Sequence, residues 1–99
     1  MSRPSLADAL EDRDAVMRAF VHPDGSLKSM PTRLRKRLVV LDHVARSFAI
    51  GEQFDESEVN NRLRVFHPDV AMLRRYLVEQ EFFERRDGRY WRAGGTTDV

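Results

Sequence analysis

The stretch from Asp55 to Arg92 leaves few folds open to this chain. It holds an amphipathic segment, EVNNRLRVF, then a break at His67-Pro68-Asp69, then a second amphipathic segment, VAMLRRYLVEQ. Two strand-like runs, Phe82–Arg86 and Arg89–Arg92, follow around Asp87-Gly88. Val59, Leu63 and Phe66 recur at helical spacing and share one face. Asp55 and Glu58 have the spacing of a capping box, with Asp in place of the usual Ser or Thr. Pro68 stops the first helix and suits the first turn of the next, because its φ is fixed and its missing N–H costs nothing there. Val70, Leu73 and Leu77 form the buried stripe of that next helix. Asp-Gly between two strand-like runs is the signal of a two-residue hairpin turn.

Upstream, Leu34, Leu38, Leu41, Ala45 and Phe48 are spaced 4, 3, 4 and 3 residues apart, which predicts a helix over 33–48. Thr32 is its expected cap and Gly51 its expected end. Arg33, Lys36, Arg37 and Arg46 fall mostly off the apolar face. Gln53-Phe54 reads as a minimal strand. Ser5–Ala19 reads as one further helix, capped by Ser5 or Asp8, and His22-Pro23-Asp24-Gly25 as a turn. Ser26–Met30 reads as a short extended segment. The order is helix, short strand, helix–turn–helix, hairpin. That is an α+β chain with the layout of a winged helix plus an extra N-terminal helix. The expected division is a helical extension over 1–19, the winged-helix-like domain over 20–92, and a small polar tail over 93–99 without fixed structure.

The 99 residues suffice for one modest core. No apolar run is long enough to cross a bilayer, and no secretory h-region is present, so a cytoplasmic chain with no membrane partner is expected. There is no cysteine, which removes disulfides and thiolate chemistry. His22, His43 and His67 are not at helical spacing from one another, so no metal site is expected. The serines have no partner base, and Asp55, Glu56 and Glu58 are explained by the dipole of the helix they open. No enzyme activity and no cofactor are expected. His67-Pro68-Asp69 matches the tripeptide of co-chaperone J-domains, but the long helix leading into it is missing, and the terminal hairpin is foreign to that fold.

Arginine is the remaining chemical signal. Net charge is +1, yet residues 1–25 hold three basic and five acidic side chains, so the rest of the chain is +3. At about 100° per residue, Ala71, Met72, Arg75 and Glu79 project from the outer face of the second helix of the pair, with Arg74 at the edge of its buried stripe. Arg75 is therefore the expected ligand-facing arginine, and Arg74 the expected member of an internal ion pair. Arg85, Arg86, Arg89 and Arg92 lie on the hairpin. Arginine's donor fork suits phosphates and guanine edges. The set expected to bind nucleic acid is Arg33, Lys36, Arg37, Ala71, Met72, Arg75, Arg86 and Arg89. Glu79, Glu81, Glu84 and Asp87 lie near these arginines in sequence and temper the field. Tyr90 and Trp91 alternate, so one should face the core and the other outward.

These residues carry a resemblance. Phe20, Asp24-Gly25, Leu27, Pro31, Arg35-Lys36-Arg37 and Leu41 open a pattern that continues through Phe48, Gly51, Phe54 and Glu56-x-Glu58-Val59-Asn60. It ends with Asp69, Leu73-Arg74-Arg75, Leu77-Val78, Arg85, Gly88 and Tyr90. In this order they resemble a bacterial family named domain of unknown function 2087, although Phe54 stands where that family usually has tyrosine. Such domains also occur fused behind arsenic-repressor-type helix-turn-helix regulators. The resemblance implies a winged-helix-like domain associated with transcriptional control. The 99 residues carry no separate DNA-binding domain of the fused form, which leaves two options. Either this domain contacts nucleic acid itself, with duplex DNA the first expectation and structured RNA the variant, or it binds a protein or small effector on behalf of a regulator, as a protein-interaction or homodimerisation module.

Overall fold

The computed structural model describes residues 3–97; Met1, Ser2, Asp98 and Val99, at the outer ends of the expected 1–19 extension and 93–99 tail, lie outside the described residues. The elements run α1 (Leu6–Ala9), a 3-10 turn (Leu10–Asp12), α2 (Arg13–Phe20), α3 (Leu34–Ala45), β1 (Gln53–Asp55), α4 (Glu56–Leu63), α5 (Val70–Glu79), β2 (Phe83–Arg86) and β3 (Arg89–Arg92). The chain divides into two units, Met1–Val40 and Leu41–Val99, with the boundary inside α3.

In the first unit, the helix expected over Ser5–Ala19 is interrupted. The Ser5 hydroxyl accepts the Asp8 N–H at 3.1 Å and opens α1. Arg35 Nη2 donates to the Asp8 carbonyl at 2.6 Å, and its Nε donates to Asp12 Oδ2 at 3.2 Å. In an unbroken helix the Asp8 carbonyl would serve the Asp12 amide. The guanidinium competes for that acceptor, and the chain tightens into the 3-10 turn. The loop after α2 closes through a single bridge between Val21 and Leu27, which replaces the expected extended run 26–30. Inside it, the Ser26 hydroxyl and then the Ser26 amide donate to Asp24, holding that carboxyl below its ordinary range. The helix α3 starts later than expected. The Arg37 amide donates to the Arg33 carbonyl at 2.9 Å, so Arg33 rather than Thr32 takes the cap position. The Arg37 guanidinium reaches back to the carbonyls of Pro31 (3.3 Å) and Thr32 (2.8 Å), which keeps both residues outside the helix.

In the second unit, α3 ends at Ala45, well before Gly51. The Ser47 hydroxyl donates to the Val44 carbonyl at 2.7 Å, and the Ser47 and Phe48 amides form i−3 bonds that close the helix. The strand β1 leads directly into α4 through Asp55. The Asp55 carboxylate accepts the Glu58 amide at 2.8 Å while Glu58 accepts the Asp55 amide, a complete capping box. Replacing Asp55 with alanine should lower the urea unfolding free energy by about 1 kcal/mol. An unchanged midpoint would show that the box is dispensable.

The break between α4 and α5 has its own bonding. His67 Nδ1 accepts the Asp69 amide at 3.0 Å, and Asp69 Oδ1 caps α5 through the Met72 amide at 3.0 Å. Pro68 therefore precedes the cap instead of lying in the first turn. At the hairpin, Asp87 and Gly88 both hold positive φ, 52° and 76°, as a type I′ turn requires. The sheet order is β1-β3-β2, antiparallel throughout, with Tyr90 opposite both Phe54 and Arg85.

Leu41, Val44, Phe48, Phe54, Val59, Leu63, Leu73, Leu77, Phe83 and Tyr90 are buried and make the core of this unit. Phe48 meets Phe54 and Phe83 edge-to-face, with centroids 5.4 and 4.8 Å apart. Arg62 lies over the outer side of this cluster, 4.7 Å from the Phe54 centroid and 5.6 Å from that of Phe48.

The expected loose tail is held in place as far as Thr96. Thr96 donates its amide (2.7 Å) and its hydroxyl (2.8 Å) to the two oxygens of Asp42. Arg92 donates to the carbonyls of Phe48 (3.3 Å), Gly94 (3.0 Å) and Thr96. Asp42 is 1% exposed and Arg92 8%, so Arg92 is a core group rather than a surface cation of the hairpin.

Candidate nucleic-acid interface

Within the second unit, α5 and the hairpin bring together one set of polar groups. Leu73 and Leu77 face the core, which turns Ala71, Arg75 and Glu79 outward into solvent. Met72 is half-buried and contributes only part of its side chain to the surface. Arg75 Nε stands 3.8 Å from Glu79 Oε1 one turn on, and its guanidinium lies 5.1 Å from the Tyr76 ring centroid.

Arg74 turns the other way. Its Nε lies 3.5 Å from Glu56 Oε1 on α4, and its Nη1 donates to Asn60 Oδ1. The Tyr90 hydroxyl donates to the same Glu56 oxygen at 3.0 Å. One carboxylate at the start of α4 thus ties α5 and β3 together. Burial, and then the hydroxyl's bond to Glu56, hold the Tyr90 phenol above its usual range, so it remains a neutral donor at physiological pH.

The hairpin divides its arginines by register. Arg85 is opposite Tyr90, on the sheet face that carries the buried tyrosine, and its guanidinium lies 5.8 Å from the Tyr90 ring centroid. Arg86 and Arg89 form the pair that closes the turn, and both are exposed. Arg86 has Asp87 at 3.9 Å, but both side chains are more than four-fifths exposed, so the pair is worth little. Trp91 is half-buried on the other face, and its indole N–H donates to Glu84 across the strands at 3.0 Å.

Between α5 and the hairpin lies a cavity of about 200 Å³, lined by Ala71, Arg74, Arg75, Glu79, Arg85 and Tyr90 among others. Arg85 is absent from the set expected from sequence. The signal was available: counting outward from Asp87-Gly88 puts residue 85 opposite Tyr90, on the face that Tyr90 shares.

The other expected residues lie in the first unit. Arg33 is exposed. Lys36 Nζ sits 6.0 Å from the Phe20 ring centroid. Arg37 is half-buried and holds the loop carbonyls described above. Among the described residues, no group of three or more histidines and carboxylates is arranged to hold a metal ion. No helix among them is long and apolar enough to cross a membrane.

Residues 26–92 match the model of a family described as an uncharacterized protein conserved in bacteria, domain of unknown function 2087. No curated protein and no solved structure gives a significant match.

Proposed function

We propose that this chain, which belongs to the domain of unknown function 2087 family, binds nucleic acid, with duplex DNA the preferred form, through the outer face of α5 and the hairpin. The observation that carries the reading is that Arg75 on α5 and Arg85 on the hairpin line one cavity, with the exposed Arg86 and Arg89 at the turn of the same hairpin. A helix of this kind fits the major groove, where the small Ala71 and the exposed part of Met72 would face base edges and Arg75 would reach the phosphates at the groove's edge. The hairpin arginines would hold phosphates, which set register without reading sequence. Arg33, Lys36 and Arg37 belong to the first unit, and the proposal does not rest on them. A transcriptional role is the natural use of such a contact.

The alternative, a protein-interaction or dimerisation module, would use the acidic N-terminal helix. In that unit Arg35 already lies 3.7 Å from Glu11 and 3.2 Å from Asp12, so part of the acidic charge is answered internally. The nucleic-acid reading therefore has the stronger support.

Fluorescence anisotropy with random duplex DNA at low salt tests it. Micromolar binding, weakened roughly tenfold in Arg75→Ala, is the expected result. No binding at low salt would sink the proposal, because even non-specific groove contacts contribute a phosphate term there. Competition by structured RNA that exceeds duplex DNA would redirect it to RNA.

A further inference from the structure

We infer that the cavity between α5 and the hairpin is a phosphoryl-binding site, in which Arg75 and Arg85 grip the oxyanion and Arg74 and Tyr90 form its wall. The inference rests on the same face as the nucleic-acid reading but names a specific pocket and a specific chemistry. Three arginines line the cavity against one lining carboxylate, Glu79. Arg74's charge is answered outside the lining by Glu56. That leaves Arg75 and Arg85 against Glu79, an excess of one positive charge.

Arg85 makes no ion pair among the described residues; its guanidinium lies over the face of Tyr90. A cation–π contact of that kind leaves the N–H groups of the guanidinium unfilled. The Arg75–Glu79 pair is long and more than half exposed, so an anion competes with Glu79 for Arg75 at little cost. The volume of about 200 Å³ corresponds to the share of about seven waters at roughly 30 Å³ each, which is room for a tetrahedral oxyanion with some of its hydration. Ala71 at the rim has no side chain beyond Cβ to block entry.

Arginine forks match phosphate oxygens in pairs, and an excess of one charge fits a phosphodiester or a monoanionic phosphate better than a neutral ligand. The phosphoryl group could come from a nucleic-acid backbone or from a free phosphate compound, and the chemistry of the pocket is the same for both.

The test is a titration of the full chain with inorganic phosphate, followed by NMR of the arginine Nε–Hε signals, with sodium chloride matched for ionic strength as the blank. The expected result is saturable shifts at Arg75 and Arg85 that chloride does not reproduce. Arg85→Ala and Arg75→Ala should each weaken phosphate about tenfold or more, and Arg64→Ala, on an exposed turn elsewhere, should leave it unchanged. Circular dichroism of each variant checks that the fold is kept. Shifts that fail to saturate, that chloride reproduces, or that survive both substitutions would overturn the inference.

A second arm adds duplex DNA to the phosphate-loaded protein. Displacement of phosphate by DNA assigns the pocket to the backbone; saturable phosphate binding with no DNA binding supports the pocket as a site for a free phosphate compound and removes the nucleic-acid reading alone. DNA binding without phosphate shifts overturns the pocket and leaves the nucleic-acid reading standing.

Discussion

Replacing Asp42 with alanine is expected to destabilise the second unit by about 3 kcal/mol, the scale for losing two hydrogen bonds to a buried carboxylate. Asp42 is 1% exposed, and both its oxygens are occupied by Thr96. Arg92, the buried cation nearby, donates to the carbonyls of Phe48, Gly94 and Thr96. The two charges border the same spot: a Cβ built on Gly95 would stand 3.0 Å from Asp42 Oδ1 and 3.2 Å from Arg92 Nη2. Alanine at position 42 strands two Thr96 donors and leaves a cavity. For a domain of this size each kcal/mol moves Tm by roughly 4–8 °C, so the melting temperature should fall by more than about 10 °C. A chain ending at Ala93 should lose a comparable amount. In the Asp42→Ala background the truncation should add little, because both changes dismantle one network. A melting temperature within about 3 °C of the parent in Asp42→Ala would show that the network contributes nothing net, as some buried ionic groups do.

That network marks where the sequence stopped being legible. The order of elements was readable because each signal was local: the Asp55 and Glu58 box, the break at Pro68, the Asp87-Gly88 turn and the period-2 alternation that buries Tyr90. The α+β class and the helix–turn–helix with its hairpin follow from those signals. Asp42 and Arg92 are 50 positions apart and read as ordinary polar residues of a helix and a strand; only the fold brings them together with Thr96. Without that contact, a run of Gly, Thr and Ala at 93–97 reads as a tail.

The interruption at Leu10–Asp12 has the same origin. Its cause, Arg35, lies more than twenty residues away, while the local pattern favours a continuous helix. Part of the candidate site was readable for the opposite reason. Arg74 and Arg75 are adjacent, and about 100° of helical rotation sends one toward Glu56 and the other to solvent. Arg85 is legible only through the register that sets it opposite Tyr90, not through the charge of the hairpin.

The salt dependence of DNA binding should be bounded by which arginines of α5 and the hairpin carry carboxylates. Each phosphate neutralised contributes about −0.9 to the slope of log affinity against log salt. Arg75, Arg85, Arg86 and Arg89 together set a ceiling of about −3.6. Arg75 and Arg86 each stand near a carboxylate, Glu79 at 3.8 Å and Asp87 at 3.9 Å, and an arginine that keeps such a partner releases fewer counterions. Arg85 and Arg89 have no carboxylate partner among the described residues, and they set a floor of about −1.8. Raising salt from roughly 50 to 200 mM should therefore weaken binding between about 10-fold and 150-fold. The two limits differ in what they say about Glu79 and Asp87. A slope near the floor means both carboxylates hold their arginines in the complex. In that case Glu79→Gln, which frees Arg75, should steepen the slope by nearly one unit. A slope near the ceiling means the pairs open on binding, and Glu79→Gln should then raise affinity without changing the slope. Binding that is insensitive to salt would exclude a phosphate contact altogether. A steep slope that survives the double change Arg85→Ala and Arg89→Ala would place the contact on a different surface of the chain.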